Sequence, residues 1–129
     1  MSEVPDDRRY TKQHEWARQD GARILIGITD YAQDQLGDVV FVGLPESGST
    51  VTEGQPLGEV ESTKSVSDVF SPVTATVVEK NVQVEQKPEL VNTDPYGSGW
   101  LVAVDAEGVD LSALMSAGEY RNQVEGEGS

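Results

Sequence analysis

The sequence predicts a small, mainly β fold, a sandwich or a barrel, with short helices and a C-terminal helix. Segments rich in β-branched residues, such as "DVVFVGL" (38–44), are typical of strands. Turn clusters rich in Gly, Pro and Ser, such as "PESGSTVTEG" (45–54), separate these segments at short intervals. Short strands with frequent turns favour this fold class, and the length of 129 residues fits one domain.

A hairpin and a short helix are predicted ahead of these strands. Residues 10–28 contain two strand-like runs joined at Asp20-Gly21, a pair that favours tight hairpin turns. Thr29 can cap the N-terminus of the helix that follows, because its hydroxyl can accept a bond from a free backbone N–H. Gly37 can occupy the position just after the helix, where a left-handed backbone is common.

The remaining β elements follow from alternation and turn signals. They are, in order, strands in "QPLGEVE" (55–61) and "VSDVF" (66–70), a strand in "SPVTATVVEKN" (71–81), a turn in "DPYGSG" (94–99) and a strand in "WLVAV" (100–104). Between the first two strands, "STKS" (62–65) is predicted to form the turn, with Ser62 suited to its first position.

The C-terminal part is predicted to be one helix over residues 110–123. Asp110 can cap it, and an apolar stripe faces the core; the stripe consists of Leu111, Leu114 and Met115. The expected organisation is a flexible N-terminus at 1–9, a single domain at 10–122 and a disordered tail at 123–129.

Composition excludes several classes of function. A net charge of -14 disfavours nucleic acid and anionic membranes as partners, since both need clustered basic residues. The charge is explained either by solubility as a monomer or by docking to partners with basic surfaces. Without cysteine there is no disulfide and no thiolate site. The N-terminus has no apolar signal-peptide region and no run is long enough to span a bilayer, so a cytoplasmic location is expected.

Motifs for catalysis and metal binding are absent from the sequence. His14 is the only histidine, and no GxSxG segment accompanies it, so a nucleophilic triad and a His-rich metal site are not predicted. No Gly-rich phosphate-binding loop occurs, and the many carboxylates are too scattered to indicate a catalytic pair. We therefore predict no catalytic residues and no metal.

Lys64 is the one basic residue between residues 24 and 79, and it lies in the predicted turn. Three interpretations are open from local chemistry. It can be a solvated turn lysine without a role, as exposed lysines commonly are. It can be a Schiff-base lysine, although that needs burial or a nearby cation, and Glu61 and Asp68 favour the charged amine. It can also be a lysine presented for covalent modification, which an exposed hairpin suits.

The order of motifs along the chain resembles the H-protein family of the glycine cleavage system. The resemblance extends from about Tyr10 to Tyr120 and is carried by "YTKQHEW" (10–16), "GITDYAQDQLGDVVFVGLP" (27–45), "VESTKSVSDVFSPV" (60–73) and "PELVNTDPYGSGWL" (88–101). It implies a lipoyl-type barrel-sandwich hybrid of two antiparallel sheets, with short helices and a C-terminal helix. It also implies that Lys64 carries lipoic acid in amide linkage and that the protein is a carrier, not an enzyme.

The resemblance further implies partners and supporting residues. The partners are a lipoylating enzyme, the pyridoxal-phosphate glycine decarboxylase, the tetrahydrofolate-dependent aminomethyltransferase and dihydrolipoyl dehydrogenase. Glu61 matches a position linked to recognition by the lipoylating enzyme, while Asp68, His14 and Glu15 match regions near the groove where the arm docks. Trp16, in the same segment, is equally well explained as core packing.

Two departures from the family pattern and one alternative function remain. Thr63 stands where many members have Val, and Ala75 stands where Gly is common, which has a local cost if that position needs close backbone approach or an unusual φ. The alternative function is a lipoyl relay, in which this protein passes lipoate to other acyltransferase complexes.

Overall fold

A computed structural model describes residues 3–127 of the chain, within which the secondary structure consists mainly of short strands. The strands are β1 (Arg9–Tyr10), β2 (Glu15–Asp20), β3 (Arg23–Ile28), β4 (Val39–Gly43), β5 (Thr50–Val51), β6 (Pro56–Ser62), β7 (Val66–Phe70), β8 (Ala75–Lys80) and β9 (Val102–Asp105). The α-helices are α1 (Asp30–Leu36), α2 (Val82–Gln86), α3 (Leu90–Thr93) and α4 (Ala117–Glu127). None of the helices in this range is both long enough and apolar enough to cross a membrane.

The strands form two sheets whose neighbours run antiparallel. The larger has six strands in the order β1-β2-β3-β9-β8-β5, and the smaller has three in the order β4-β6-β7. One hydrophobic core includes residues from both, such as Ile24 and Ile26 of β3 with Val42 of β4 and Val60 of β6. Two antiparallel sheets around a shared core confirm the predicted mainly β architecture.

A second apolar cluster covers the other face of the larger sheet. Leu25 points away from the main core and packs with Tyr10, Trp16 and Tyr120. Because α4 covers this face, β3 is buried on both sides. A strand buried on both faces has no need for polar alternation, which explains the continuous apolar run in residues 24–28.

The first predicted hairpin and helix are confirmed. Asp20 pairs with Arg23, so the turn residues are Gly21 and Ala22, one position later than predicted. Gly21 has φ +62, a conformation that glycine adopts without strain. In α1, the Thr29 side chain accepts a hydrogen bond from the backbone N–H of the third residue of the helix, and Gly37 follows the last turn, as predicted.

The prediction of one C-terminal helix over residues 110–123 is wrong. Asp110 caps only a short 3-10 turn, Leu111–Ala113, and α4 begins at Ala117 after a break. The predicted stripe still reaches apolar surroundings, but Leu111 and Leu114 pack on the main core and Met115 on the second cluster. A disordered tail from residue 123 is also wrong for 123–127, which are helical; residues 128 and 129 lie outside the described part.

The start of α4 is marked by a local motif in the sequence. The Ser116 hydroxyl accepts from the backbone N–H of Glu119, while the Glu119 carboxylate accepts from the backbone N–H of Ser116, at 3.2 and 2.9 Å. This reciprocal pair is a capping box, S-x-x-E, and it explains why α4 starts where it does.

The departure at Ala75 and the N-terminal segment can both be located in the fold. Ala75 begins β8 opposite Val51, and its φ is not positive, since His14 is the one non-glycine residue within 3–127 with a positive φ. The possible cost of an unusual φ at Ala75 therefore does not arise. At the N-terminus, segment 3–9 was predicted to be flexible; Arg9 already belongs to β1, and Arg8 lies over the Trp16 ring at 4.6 Å.

Candidate functional site

Lys64 lies at the tip of the β6–β7 hairpin, in the turn that the sequence predicts. The Ser62 backbone N–H donates to the Ser65 carbonyl at 2.8 Å, and the Ser62 hydroxyl accepts from the backbone N–H groups of Lys64 and Ser65 at 3.3 and 3.1 Å. A serine at the first position thus closes the turn with its side chain, as turn-forming serines do. The turn is ordered by its own bonds, and the Lys64 side chain takes no part in them.

The hairpin tip is also fastened to the body of the protein. The Thr63 backbone N–H donates to the Asp38 carbonyl at 3.1 Å. Asn92 of α3 holds the residues on either side of Asp38, because its amide donates to the Gly37 carbonyl and its oxygen accepts from the Val39 backbone N–H, both at 2.9 Å. The position of Lys64 is therefore set by contacts with the α1–β4 connection and with α3.

Gly37 lies directly beneath the stem of Lys64. A Cβ atom at Gly37 would be 2.9 Å from Lys64 Cε, and Gly37 also has φ +81 at the end of α1. Glycine thus serves both the helix end and the path of the lysine side chain. Lys64 is exposed, and it makes no ion pair and no side-chain hydrogen bond with any residue in the range 3–127. Its amine is free for a modifying enzyme to reach.

A cleft lies beside α1, next to the hairpin, with a cavity volume of about 330 Å³. Its walls come from the segment before β2, from α1, from β6 and β7, and from the end of α4. The lining residues are Gln13, His14, Glu15, Ile28, Tyr31, Ala32, Gln35, Leu36, Val60, Ser67, Asp68, Val69 and Glu127. Helix α1 therefore lines the cleft with its side chains, and the glycine that follows its last turn lies beneath the stem of Lys64.

Glu15 is a buried carboxyl group in the wall of this cleft, with 2% of its surface exposed. Desolvation by burial raises its pKa above the ordinary value. Hydrogen bonds from the Thr11 hydroxyl at 2.6 Å and from the Phe70 backbone N–H at 3.3 Å oppose that shift. The carboxylate is therefore held in place but poorly solvated, and a cation in the cleft would stabilise it.

We expect Glu15→Gln to change how the free energy of unfolding depends on pH. A raised pKa means that the folded state holds the proton more tightly than the unfolded state. Wild-type stability therefore falls as the pH rises from the ordinary carboxyl range through the folded pKa. The free energy of unfolding of the variant minus that of wild type should therefore increase as the pH rises over this window. Urea unfolding at several pH values measures this difference.

Glu119→Gln is the matched control for this prediction. Hydrogen bonds from Ser116 lower the pKa of Glu119, so its contribution is present above the unfolded pKa and lost as the pH falls. The difference for this variant should decrease with rising pH, opposite to that for Glu15→Gln. A flat or falling difference for Glu15→Gln would contradict the assignment of Glu15 as a desolvated carboxyl.

The structure brings most of the predicted supporting residues together. His14, Glu15 and Asp68 border the one cleft, with Glu15 buried and Asp68 exposed on β7. Glu61 is not among the lining residues; it lies on β6 three residues before Lys64, paired with Val66. Trp16 is fully buried, which supports core packing as its role.

Other residues at the site were not found from sequence. Tyr31 and Gln35 line the cleft from α1, and Glu127 does so from a segment that was expected to be disordered. The spacing of Tyr31 and Gln35 by one helical turn was an available signal for a shared face. The role of Asn92 had no such signal, because its partners are more than fifty residues away. Among residues 3–127 no group of histidine and acidic side chains is arranged to hold a metal ion.

Comparison with known families gives a match over nearly the whole chain. The family model described as "Glycine cleavage H-protein" matches residues 8–127. The glycine cleavage system H protein of Mycobacteroides abscessus is 56% identical over 118 residues, covering 90% of each chain. That of Thermus thermophilus is 50% identical over 126 residues, covering 97% of this chain and 98% of the relative.

A solved structure agrees with these sequence matches. The crystal structure of a glycine cleavage system H protein from Mycobacterium marinum superposes with a TM-score of 0.86 at 44% identity. The match covers 95% of this chain and 99% of that one. This similarity confirms the predicted lipoyl-type barrel-sandwich fold.

Proposed function

The chain belongs to the glycine cleavage H-protein family, a carrier component of the glycine cleavage system rather than a catalytic enzyme, and from this premise we propose that Lys64 is its lipoyl attachment site. The observation that carries the proposal is the presentation of Lys64: an exposed amine, unpaired within residues 3–127, at the tip of a hairpin that is anchored beside a cleft. A lipoylating enzyme would join the carboxyl group of an activated lipoyl donor to Nζ. The new amide removes the positive charge of the lysine.

The attached group would make the protein a shuttle between three enzymes. The lipoyl disulfide would be opened when a pyridoxal-phosphate decarboxylase releases carbon dioxide from glycine and passes the aminomethyl group to one sulfur. A tetrahydrofolate-dependent aminomethyltransferase would then move the methylene carbon to tetrahydrofolate and release ammonia, and dihydrolipoyl dehydrogenase would reoxidise the resulting dithiol. Such chemistry belongs to the cofactors, and the protein supplies position and environment. The relay of lipoate to other complexes stays a second prediction, and it would use the same lysine.

The residues around Lys64 fit a long, swinging substituent. The turn is closed by Ser62 and the tip is held by the Thr63–Asp38 bond, so the arm would have a fixed base. The lysine stem passes over Gly37, where a side chain on that residue would obstruct it. A rigid base with a flexible arm lets one carrier enter several active sites.

The cleft fits the arm when it carries an amine. Its wall combines apolar side chains, such as Ile28, Leu36 and Val60, with the poorly solvated carboxyl of Glu15. An apolar stem would lie against the former, and a cationic aminomethyl group would be favoured by the latter. Asp68, at the border of the cleft, would add to the negative potential there. Glu61 would act outside the cleft, in recognition by the lipoylating enzyme.

The acidic surface fits docking to larger enzymes. With a net charge of -14, the carrier would be drawn to partners whose active-site entrances are basic. Such attraction raises the rate of encounter more than the final affinity, which suits a carrier that must leave each enzyme after transfer.

Intact-mass measurement on protein purified from its native cells tests the attachment. We expect the mass of the chain plus one lipoyl group, and fragmentation that places the group on Lys64. Lys12, Lys80 and Lys87 serve as internal controls, because the same spectra report on them. Native protein that supports glycine cleavage while Lys64 is unmodified would refute the proposal.

A further inference from the structure

His14 has a strained backbone at the rim of the cleft. Its φ is +72, in the left-handed region that residues with a Cβ atom seldom adopt. Two backbone bonds hold it there: His14 N–H donates to the Thr11 carbonyl at 3.2 Å, and the His14 carbonyl accepts from Thr29 N–H at 3.0 Å. Strain of this kind persists only where the surroundings fix it, and it is concentrated at functional sites.

The imidazole of His14 belongs to a chain of hydrogen bonds that passes through Tyr120. The Tyr120 hydroxyl is 2.7 Å from His14 Nδ1 and 2.7 Å from the Thr29 hydroxyl. At the other side of the ring, Nε2 is 3.3 Å from a carboxylate oxygen of Glu127. Tyr120 and Thr29 are fully buried, so within residues 3–127 these groups depend on one another for partners.

The donor-to-acceptor direction of these hydrogen bonds follows from the groups at the two ends, the Thr29 hydroxyl and the Glu127 carboxylate. The Thr29 hydroxyl already accepts from the Ala32 backbone N–H at 3.2 Å, and the one further partner it has in the described part of the chain is Tyr120. It must therefore donate to Tyr120, or leave a buried hydroxyl proton without an acceptor. Tyr120 then donates to His14 Nδ1, which places the ring proton on Nε2, facing the Glu127 carboxylate. The reverse direction would set a lone pair on Nε2 against that carboxylate.

We propose that Tyr120 is a positioning residue that holds neutral His14 in its Nε2-protonated form, so that His14 donates to Glu127 and keeps the end of α4 closed over the rim of the cleft. One hydroxyl thereby links two walls of the cleft, because Thr29 caps α1 and His14 precedes β2. The inference rests on the proposed function, in which the loaded arm lies in this cleft. The closed rim would shield the loaded arm from solvent.

The tautomer is testable on the unmodified full-length chain, since His14 is its single histidine and yields a single set of imidazole signals. Nitrogen-15 NMR at about pH 9, where imidazoles are neutral, should show the Nε2-protonated form in wild type. Tyr120→Phe should move these signals toward a mixture of tautomers. A wild-type spectrum of the Nδ1-protonated form, or an unchanged spectrum for Tyr120→Phe, would overturn the inference.

Tyr10→Phe is the matched control. Tyr10 stacks on Tyr120 with ring centroids 4.7 Å apart, is equally buried, and donates its hydroxyl to the Pro5 carbonyl at 2.5 Å instead of to the cleft residues. Each variant loses one buried hydroxyl from the same stack. A general loosening of the stack would shift the His14 signals in both variants, whereas the proposed role shifts them in Tyr120→Phe alone.

The shielding role needs lipoylated protein loaded with the aminomethyl group. Its remaining free thiol should react with dithiobis(nitrobenzoate) about fivefold faster in Tyr120→Phe than in wild type, the equivalent of one net hydrogen bond, and Tyr10→Phe should match wild type. Equal reaction rates in all three proteins would overturn the proposal that the closed rim shields the arm. If the protein cannot be lipoylated at all, the proposed function fails instead, and the NMR result still decides the tautomer.

Discussion

Replacing Lys64 with arginine is expected to abolish glycine cleavage completely in a system reconstituted with the three partner enzymes. Arginine keeps the positive charge and much of the length of lysine, but its guanidinium stays protonated and cannot form the lipoyl amide. Intact mass should show no lipoyl group on the variant, and glycine-dependent NADH formation should fall to the level without the carrier. Turnover above that level in Lys64→Arg would contradict the assignment of the arm to this residue.

The fold of the Lys64→Arg variant should be intact, which separates loss of function from unfolding. The turn is closed by Ser62 and held by Thr63, and the Lys64 side chain makes no bond within the described residues. Exposed substitutions of this kind change the free energy of unfolding by about 0.5 kcal/mol or less. Lys87→Arg, at another exposed lysine between α2 and α3, should retain both lipoylation and full activity.

The parts of the fold that sequence predicts well are those with local causes. The β2–β3 turn depends on Gly21, which adopts a positive φ, α1 on Thr29 and Gly37, and the lysine hairpin on Ser62. In each case the deciding hydrogen bond or backbone conformation involves residues within a few positions of one another. The chemical types of these residues are therefore sufficient evidence.

The errors have physical reasons as well. The stripe at 111–115 has helical spacing, but Met115 forms a backbone bridge with Tyr10 instead, and the capping box at Ser116 restarts the helix. The helices α2 and α3 are five and four residues long and contain β-branched valines, so their propensity is low. They exist because Val84 and Val91 are buried in the core, which is a tertiary cause.

The candidate site divides along the same line. Lys64 could be located on an exposed turn from its neighbours alone, and the family resemblance supplied its predicted role as the lipoyl attachment site. The cleft could not be derived, because its walls come from chain segments as distant as residues 13–15 and Glu127. Its polar support is equally non-local, as Tyr120 and Asn92 show through bonds to residues at least fifty positions away.

Trp16→Ala is expected to cost the most stability of any single truncation in the second cluster. Trp16 is fully buried, and Nε1 donates to the carbonyls of Ile28 and Pro95 at 3.0 and 3.1 Å. Truncating a buried tryptophan costs about 3–5 kcal/mol, and the two carbonyls lose a donor in addition. Since domains of this kind have about 5–15 kcal/mol in total, the variant should be close to unfolding at 37 °C.

The tight packing around Trp16 explains why the cavity left by Trp16→Ala would not be filled by movement of its neighbours. Its ring lies so close to Gly27 that a Cβ there would be 2.6 Å from Cζ2, and Arg8 covers the ring at 4.6 Å. The neighbouring backbone belongs to the paired strands β2 and β3, which cannot shift inward without breaking their register, so most of the ring's volume would remain empty.

Urea unfolding followed by circular dichroism measures the Trp16→Ala effect, and the second tryptophan of the chain provides the control. Trp100 is partly exposed at the border of the second cluster, and the Arg23 guanidinium lies 5.9 Å from its ring, so Trp100→Ala should cost less than about 2 kcal/mol. Similar losses in the free energy of unfolding for the two variants would contradict the expectation that the burial of Trp16 makes it the more important of the two for stability. Because His14 and Glu15 of the cleft wall directly precede Trp16, the Trp16→Ala variant should also lose the cleft. In the lipoylated variant, the aminomethyl group on the arm should then be exposed to solvent.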